Sequence, residues 1–117
     1  MRRGEPHGSG HWLAQRITAV ALIPLGVWFI FSLSTRADLG RSAWLEFVAI
    51  PWHAAAVVLF LLVLLYHSYL GVQVVIEDYV QERWRERTLQ ALSGLIHASA
   101  AVLGALAVAK IALGSGA

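Results

Sequence analysis

The stretch Ala54–Ile76, AAAVVLFLLVLLYHSYLGVQVVI, decides how this chain folds. It carries no formal charge, and at about 1.5 Å of rise per residue a helix of that length crosses a hydrocarbon core of roughly 30 Å. His67 stands near its middle, and Glu77, Asp78 and Tyr79 follow where the run meets water. An ionisable residue inside a span is costly and marks a functional position by default. Imidazole also offers a ring-nitrogen lone pair, the commonest metal ligand in proteins.

Working outward, two further apolar stretches lie at about 17–34 and 89–113. The whole chain has 117 residues, 58% of them hydrophobic and 14% charged, with a mean hydropathy of +0.65. That is a membrane composition. The expectation is an all-α membrane protein, a single anchor domain over 1–117 with three transmembrane helices at about 17–34, 54–76 and 89–113. No stretch between them is long enough to bury a core of its own, so a soluble catalytic domain, if this protein serves one, must come from another chain. There is no internal repeat.

Cysteine is absent, which excludes disulfides, thiolate zinc sites and cysteine-held iron–sulfur clusters within this polypeptide. Histidine is the only strong transition-metal ligand available, and heme iron is the candidate metal. The net charge of +2 and a pI near 9.5 would suggest nucleic acid in a soluble protein. Here the arginines flank the spans and set orientation, and nucleic-acid binding is not expected.

The opening segment Met1–Gly10 is polar and glycine-rich and is expected to be flexible. Arg2 and Arg3 resemble the start of a signal peptide, but the apolar stretch begins only after Arg16, is long enough to span and lacks a clear cleavage site, so it reads as a mature helix. His11–Gln15 are an interfacial lead-in with Trp12 at headgroup level. Pro24 should kink the first span. Thr35–His53 has zero net formal charge and an amphipathic, aromatic character, while Glu77–Thr88 carries Arg83, Arg85 and Arg87. Arginines outweigh acids in the positive-inside rule, so the N-terminus and this second connection are expected to be cytoplasmic and the C-terminus on the opposite side. Lys110 can snorkel to that far interface. The small residues of the third span suit close packing. Glu82 and Glu86 are spaced to pair with Arg85 and its neighbours.

Gly71 lies one turn beyond His67 and Asp78 eleven residues on, so the three project from nearly one helix face. A glycine there clears room for a flat macrocycle against the helix. The plainer alternative is that His67 hydrogen-bonds a neighbouring helix and Gly71 is a packing residue. His97 is a rival ligand: it is about as far from the cytoplasmic boundary in the third span as His67 is in the second, so the two could clamp one heme, or His97 could be a packing histidine. Tyr79 and Asp78, about 17 Å along the axis from His67, suit a hydrogen bond to a lipid-soluble quinone carbonyl and a proton relay, or else an aromatic-belt tyrosine beside a solvated acid. Arg16 and His11 could meet a heme propionate, or serve as a snorkelling arginine and an interfacial histidine. His7 and His53 read as interfacial.

His67-Ser-Tyr-Leu-Gly71 followed by Asp78-Tyr79 resembles the H-x-x-x-G-x(6)-D-Y signature of the succinate dehydrogenase hydrophobic membrane anchor subunits, and Arg16-Ile-Thr18-Ala19 resembles their R-x-T-A element. The resemblance implies a subunit of respiratory complex II in the bacterial inner membrane or its mitochondrial equivalent. Its partners would be a second membrane anchor (cytochrome b) subunit, an iron–sulfur subunit with the clusters and a flavoprotein with FAD. It implies one heme b shared with the second anchor, with His67 as axial ligand, Arg16 on the propionate side, His11 and Gly71 in the heme pocket, and Tyr79 with Asp78 at the ubiquinone site. The alternatives are a fumarate reductase anchor and a self-contained b-type cytochrome using His67 and His97.

Overall fold

A computed structural model describes residues 7–114, with side-chain surroundings from Gly10 onward. Among these residues there are four helices and no strand: α1 His7–Ser34, α2 Arg41–Ala49, α3 Pro51–Tyr79 and α4 Arg83–Ala112. The three long helices are each long and apolar enough to cross a membrane. The helix ends follow from local chemistry. At the close of α1 the Ser34 and Thr35 hydroxyls donate to the Phe31 carbonyl at 2.9 and 3.2 Å, satisfying a group the helix itself leaves open. The Asp38 carboxylate accepts from the Gly40 N–H at 2.8 Å and turns the chain into α2.

Ile50 both ends α2 and precedes α3, with φ −73° and ψ 119°. The reason is Pro51: its ring disfavours a helical conformation in the residue before it, and its fixed φ and missing N–H suit the first turn of the next helix. At the other end of α4, Gly114 adopts φ +76° and donates its N–H to the Ile111 carbonyl, the left-handed termination that glycine allows.

Two expectations are corrected. The helix begins at His7, so the end of the segment expected to be flexible, residues 7–10, is helical; Met1–Pro6, with Arg2 and Arg3, and the side chain of His7 lie outside the described residues. The second connection shrinks from Glu77–Thr88 to Val80–Glu82, because Glu77–Tyr79 finish α3 and Arg83–Thr88 begin α4. Polar residues continue a helix into the headgroup layer as readily as they form a loop. Pro24 lies inside α1, which is assigned as one continuous helix.

α3 is the central element. It packs against both α1 and α4. α2 folds back onto α3 and α4 and closes one end. There Phe47, Val48, Ala54, Val57 and Val108 form the buried core, joined by Trp28, Phe29 and Trp44. His53 belongs to this cluster: its ring stacks on Phe47 at 4.2 Å and its Nδ1–H donates to the Phe47 carbonyl at 3.0 Å. Along the whole length of the helices large apolar side chains remain exposed, Leu13, Ile17, Val75 and Leu92 toward one end and Ile30, Phe31, Trp52 and Leu106 toward the other, as lipid or a neighbouring chain would require.

Close approach of α4 to α3 depends on Gly104. A Cβ there would collide with the Leu61 side chain, whereas one at Gly71 would make ordinary contact, 3.7 Å, with Gln15 Nε2. Gly104→Val should therefore cost about 1–3 kcal/mol, and Gly71→Ala should leave stability within about 0.5 kcal/mol, both read as shifts of the unfolding midpoint in detergent.

Candidate functional site

Where α1 crosses α3, three residues of α1 spaced at helical repeats, His11, Gln15 and Thr18, fall on one face, and Thr18 and Gln15 meet His67 and Gly71 of α3. Thr18 is 8% exposed and is the buried polar residue among those described. Its hydroxyl lies 2.8 Å from the Ala14 carbonyl, 3.1 Å from the Gln15 carbonyl and 2.8 Å from His67 Nδ1. His67 thus does hydrogen-bond a neighbouring helix, as the plainer reading expects, but through one nitrogen only. Its Nε2 has no hydrogen-bond partner among the described residues.

His97 is arranged differently. Its Nδ1–H donates to the Ser93 carbonyl at 2.8 Å, one turn back on α4, and its Nε2 accepts from the Ser68 hydroxyl at 3.1 Å. Tyr69 packs edge-on at 5.8 Å between ring centroids. The expected match in depth holds, since His97 lies level with residue 68 of α3. The two imidazoles nonetheless serve different helix pairs: His67 bonds across to α1, while His97 spends both nitrogens between α3 and α4. Successive residues of a helix point about 100° apart, and that step separates His67 from Ser68.

Gly71 shares the α1-facing side with His67, as the spacing implied, but the nearest neighbour of its missing side chain is the Gln15 amide. Within this chain a Cβ there would make only an ordinary contact, so the approach of α1 does not require a glycine at this position. Arg16 is exposed and turned away from that side; its guanidinium lies 5.4 Å from the Trp12 ring centroid, and it has no carboxylate partner among the described residues. Because Gln15 lies beside Gly71, Arg16 sits about 9 Å below the level of Glu77 along α3, deeper than a residue at the mouth of the span. His11 Nε2 and Gln15 Oε1 are buried without a hydrogen-bond partner.

Tyr79 is 83% exposed at the end of α3, and Asp78 beside it is exposed too. Neither side chain has a partner among the described residues, and neither is brought close to His67. Next to them the start of α4 presents an open hollow lined by Glu82, Arg83, Trp84 and Arg87. Arg85 pairs with Glu82 at 3.1 Å, as spaced, whereas Glu86 accepts from Gln90 at 3.5 Å.

With this geometry in view, comparison with known proteins is decisive on one point. Residues 2–109 match the model of the family described as succinate dehydrogenase/fumarate reductase transmembrane subunit. The chain belongs to that family. This family member is similar to the succinate dehydrogenase hydrophobic membrane anchor subunit of Rickettsia conorii, 36% identical over 83 residues that cover 70% of this chain and 66% of that protein. It is similar also to that of Rickettsia prowazekii, 40% identical over 75 residues, 62% of this chain and 58% of the relative. It therefore spans somewhat under two thirds of the length of the curated relatives it matches. Membership and the three apolar helices together make it an integral membrane protein.

The contact that sequence reasoning missed in this family member is Thr18 to His67. Counting depth from Arg16 left Thr18 at the mouth of its span and His67 ten residues inside the next. Arg16 was taken as the start of the buried span, whereas α1 already runs from His7 and meets α3 at Gln15 and Thr18. A signal was present: Thr18 follows His11 and Gln15 at helical spacing, a polar stripe in an otherwise apolar segment. The Ser68–His97 bond gives a check on α3–α4 packing. Ser68→Ala should lower stability by roughly 0.6–1 kcal/mol, while the same change at exposed Ser99 should have no measurable effect in the same detergent unfolding assay.

Proposed function

We propose that this chain is the hydrophobic membrane anchor of a succinate:quinone oxidoreductase, with its N-terminus cytoplasmic, sharing heme b with a second membrane anchor and helping to form the ubiquinone site. Succinate oxidation itself would belong to a flavoprotein with FAD and an iron–sulfur subunit. The observation that carries the assignment of residues is that, of the two histidines deep in the spans, only His67 has a ring nitrogen left over. Family membership over residues 2–109 supplies the wider context.

The residues present fit a heme. His67 offers Nε2 as the axial donor while its other nitrogen is held. Arg16 lies below the level of Glu77 with no acid to pair with among the described residues, and a cation in that position is stabilised by a nearby anion. A propionate or an acid of the second anchor supplies that charge. His11, one turn nearer the cytoplasmic end than Gln15, has a buried nitrogen also in want of a partner. Bound heme supplies a one-electron centre at the joint between the two anchors.

At the end of α3 the Tyr79 hydroxyl donates to a quinone carbonyl and the Asp78 carboxylate exchanges protons between that position and water. Their exposure means that this chain contributes one wall of the site and its partners the rest. Two alternatives remain distinct by experiment. A fumarate reductase anchor would favour fumarate reduction over succinate oxidation in the purified complex. A self-contained cytochrome would use His97, whose two nitrogens are already bonded within the chain.

In complex purified from its own membranes, His67→Ala should abolish the reduced-minus-oxidised heme spectrum while His97→Ala retains it; the reverse pattern overturns the ligand assignment. Tyr79→Phe should lower succinate-driven quinone reduction by roughly tenfold or more and leave succinate oxidation by a soluble dye intact. Equal loss of both activities counts against the quinone role.

A further inference from the structure

We infer that Thr18 is a positioning residue for His67: its hydroxyl fixes the ring with the proton on Nδ1, so that the lone pair is on Nε2 and faces away from α1. The inference rests on the reading of His67 as the heme ligand and goes beyond it by naming what holds that ligand.

The hydroxyl of Thr18 has one proton and three oxygen or nitrogen neighbours. Two of them, the Ala14 carbonyl at 2.8 Å and the Gln15 carbonyl at 3.1 Å, can only accept. Donation to the carbonyl four residues back is the habitual bond of a threonine inside a helix. With the proton so placed, Oγ1 turns lone pairs toward His67 Nδ1 at 2.8 Å, and a bond of that length then requires Nδ1 to be the donor. The other ring nitrogen is left with its lone pair and no partner.

Three physical features make threonine apt for this task. Its branched Cβ restricts χ1 in a helix, so the hydroxyl is aimed before His67 arrives. It is neutral, and a carboxylate in the same buried place within a span would be far costlier. Its bonds to the carbonyls are local to α1, so the acceptor is held whether or not the ring is present. A ring that rotated about its own axis would forfeit the Nδ1 bond. Hydrogen-bond donation through Nδ1–H also raises the basicity of the opposite nitrogen, which strengthens a metal bond and favours the ferric state.

The test uses the intact complex carrying Thr18→Val, Thr18→Ser or His67→Ala, with heme content per flavin, heme affinity in competition with apomyoglobin, the heme midpoint potential and the ferric electron paramagnetic resonance spectrum as readouts. Thr18→Val, which keeps the shape and removes the hydroxyl, should weaken heme binding by about 10–100-fold, move the midpoint potential positive and shift the ferric spectrum. Thr18→Ser should restore all three toward wild type. Wild-type behaviour of Thr18→Val beside a heme-free His67→Ala overturns the role of Thr18 and leaves the ligand standing. Heme retained in His67→Ala overturns the ligand reading itself. Should Thr18→Val fail to assemble, hyperfine spectroscopy of the wild-type complex labelled with 15N-histidine decides: a hydrogen-bonded proton on the Nδ1 of the axial ring supports the inference, and a bare Nδ1 overturns it.

Discussion

Hydrocarbon supplies no hydrogen bonds, so every polar group that this chain carries into its spans must find a partner in protein or in something protein binds. Thr18 and His67 meet that constraint for each other. Thr18 satisfies its own proton within α1 and still has a lone pair for the ring across the helix contact, so a single hydroxyl joins α1 to α3 and settles which way the imidazole presents itself. The His97 system obeys the same rule with a different outcome: two serines and a carbonyl absorb both nitrogens, and a histidine of equal depth becomes a packing residue.

The same rule bears on the rest of α1. Among the described residues Arg16, His11 Nε2 and Gln15 Oε1 have no hydrogen-bond or ionic partner, and all lie on the part of α1 that approaches α3 near Gly71. The buried core gathers around α2 at one end of the bundle, with Phe47, Val48, Ala54, Val57 and Val108, whereas toward the end bearing His67, Asp78 and Tyr79 the buried apolar side chains among the described residues are Leu70 and Ile76.

Much of this was legible beforehand. The apolar runs foretold three long helices, the i, i+4 spacing put His67 and Gly71 on one face, and counting from the charged turn put His97 level with His67. The misreadings share a cause. Polar residues at 7–10 were assigned to a flexible segment and Arg83–Thr88 to a connection, yet both continue helices, because a helix satisfies its own backbone in the headgroup layer just as it does in lipid. Only Pro51 and Gly114 act on the backbone directly, and the helix ends they define carry a stereochemical reason that charge alone does not give.

The sequence by itself determined that the chain is helical and that it crosses a membrane, since hydrophobic length and the rarity of ionisable groups in lipid are properties readable along one dimension. Only the tertiary structure decided which histidine keeps a nitrogen to give. That outcome depends on which helices share a contact and at what height, and no periodicity within a single helix encodes the relative shift of two of them. The offset that sets Thr18 against His67 arises from the packing of α1 on α3, with Gln15 lying over Gly71 one turn away.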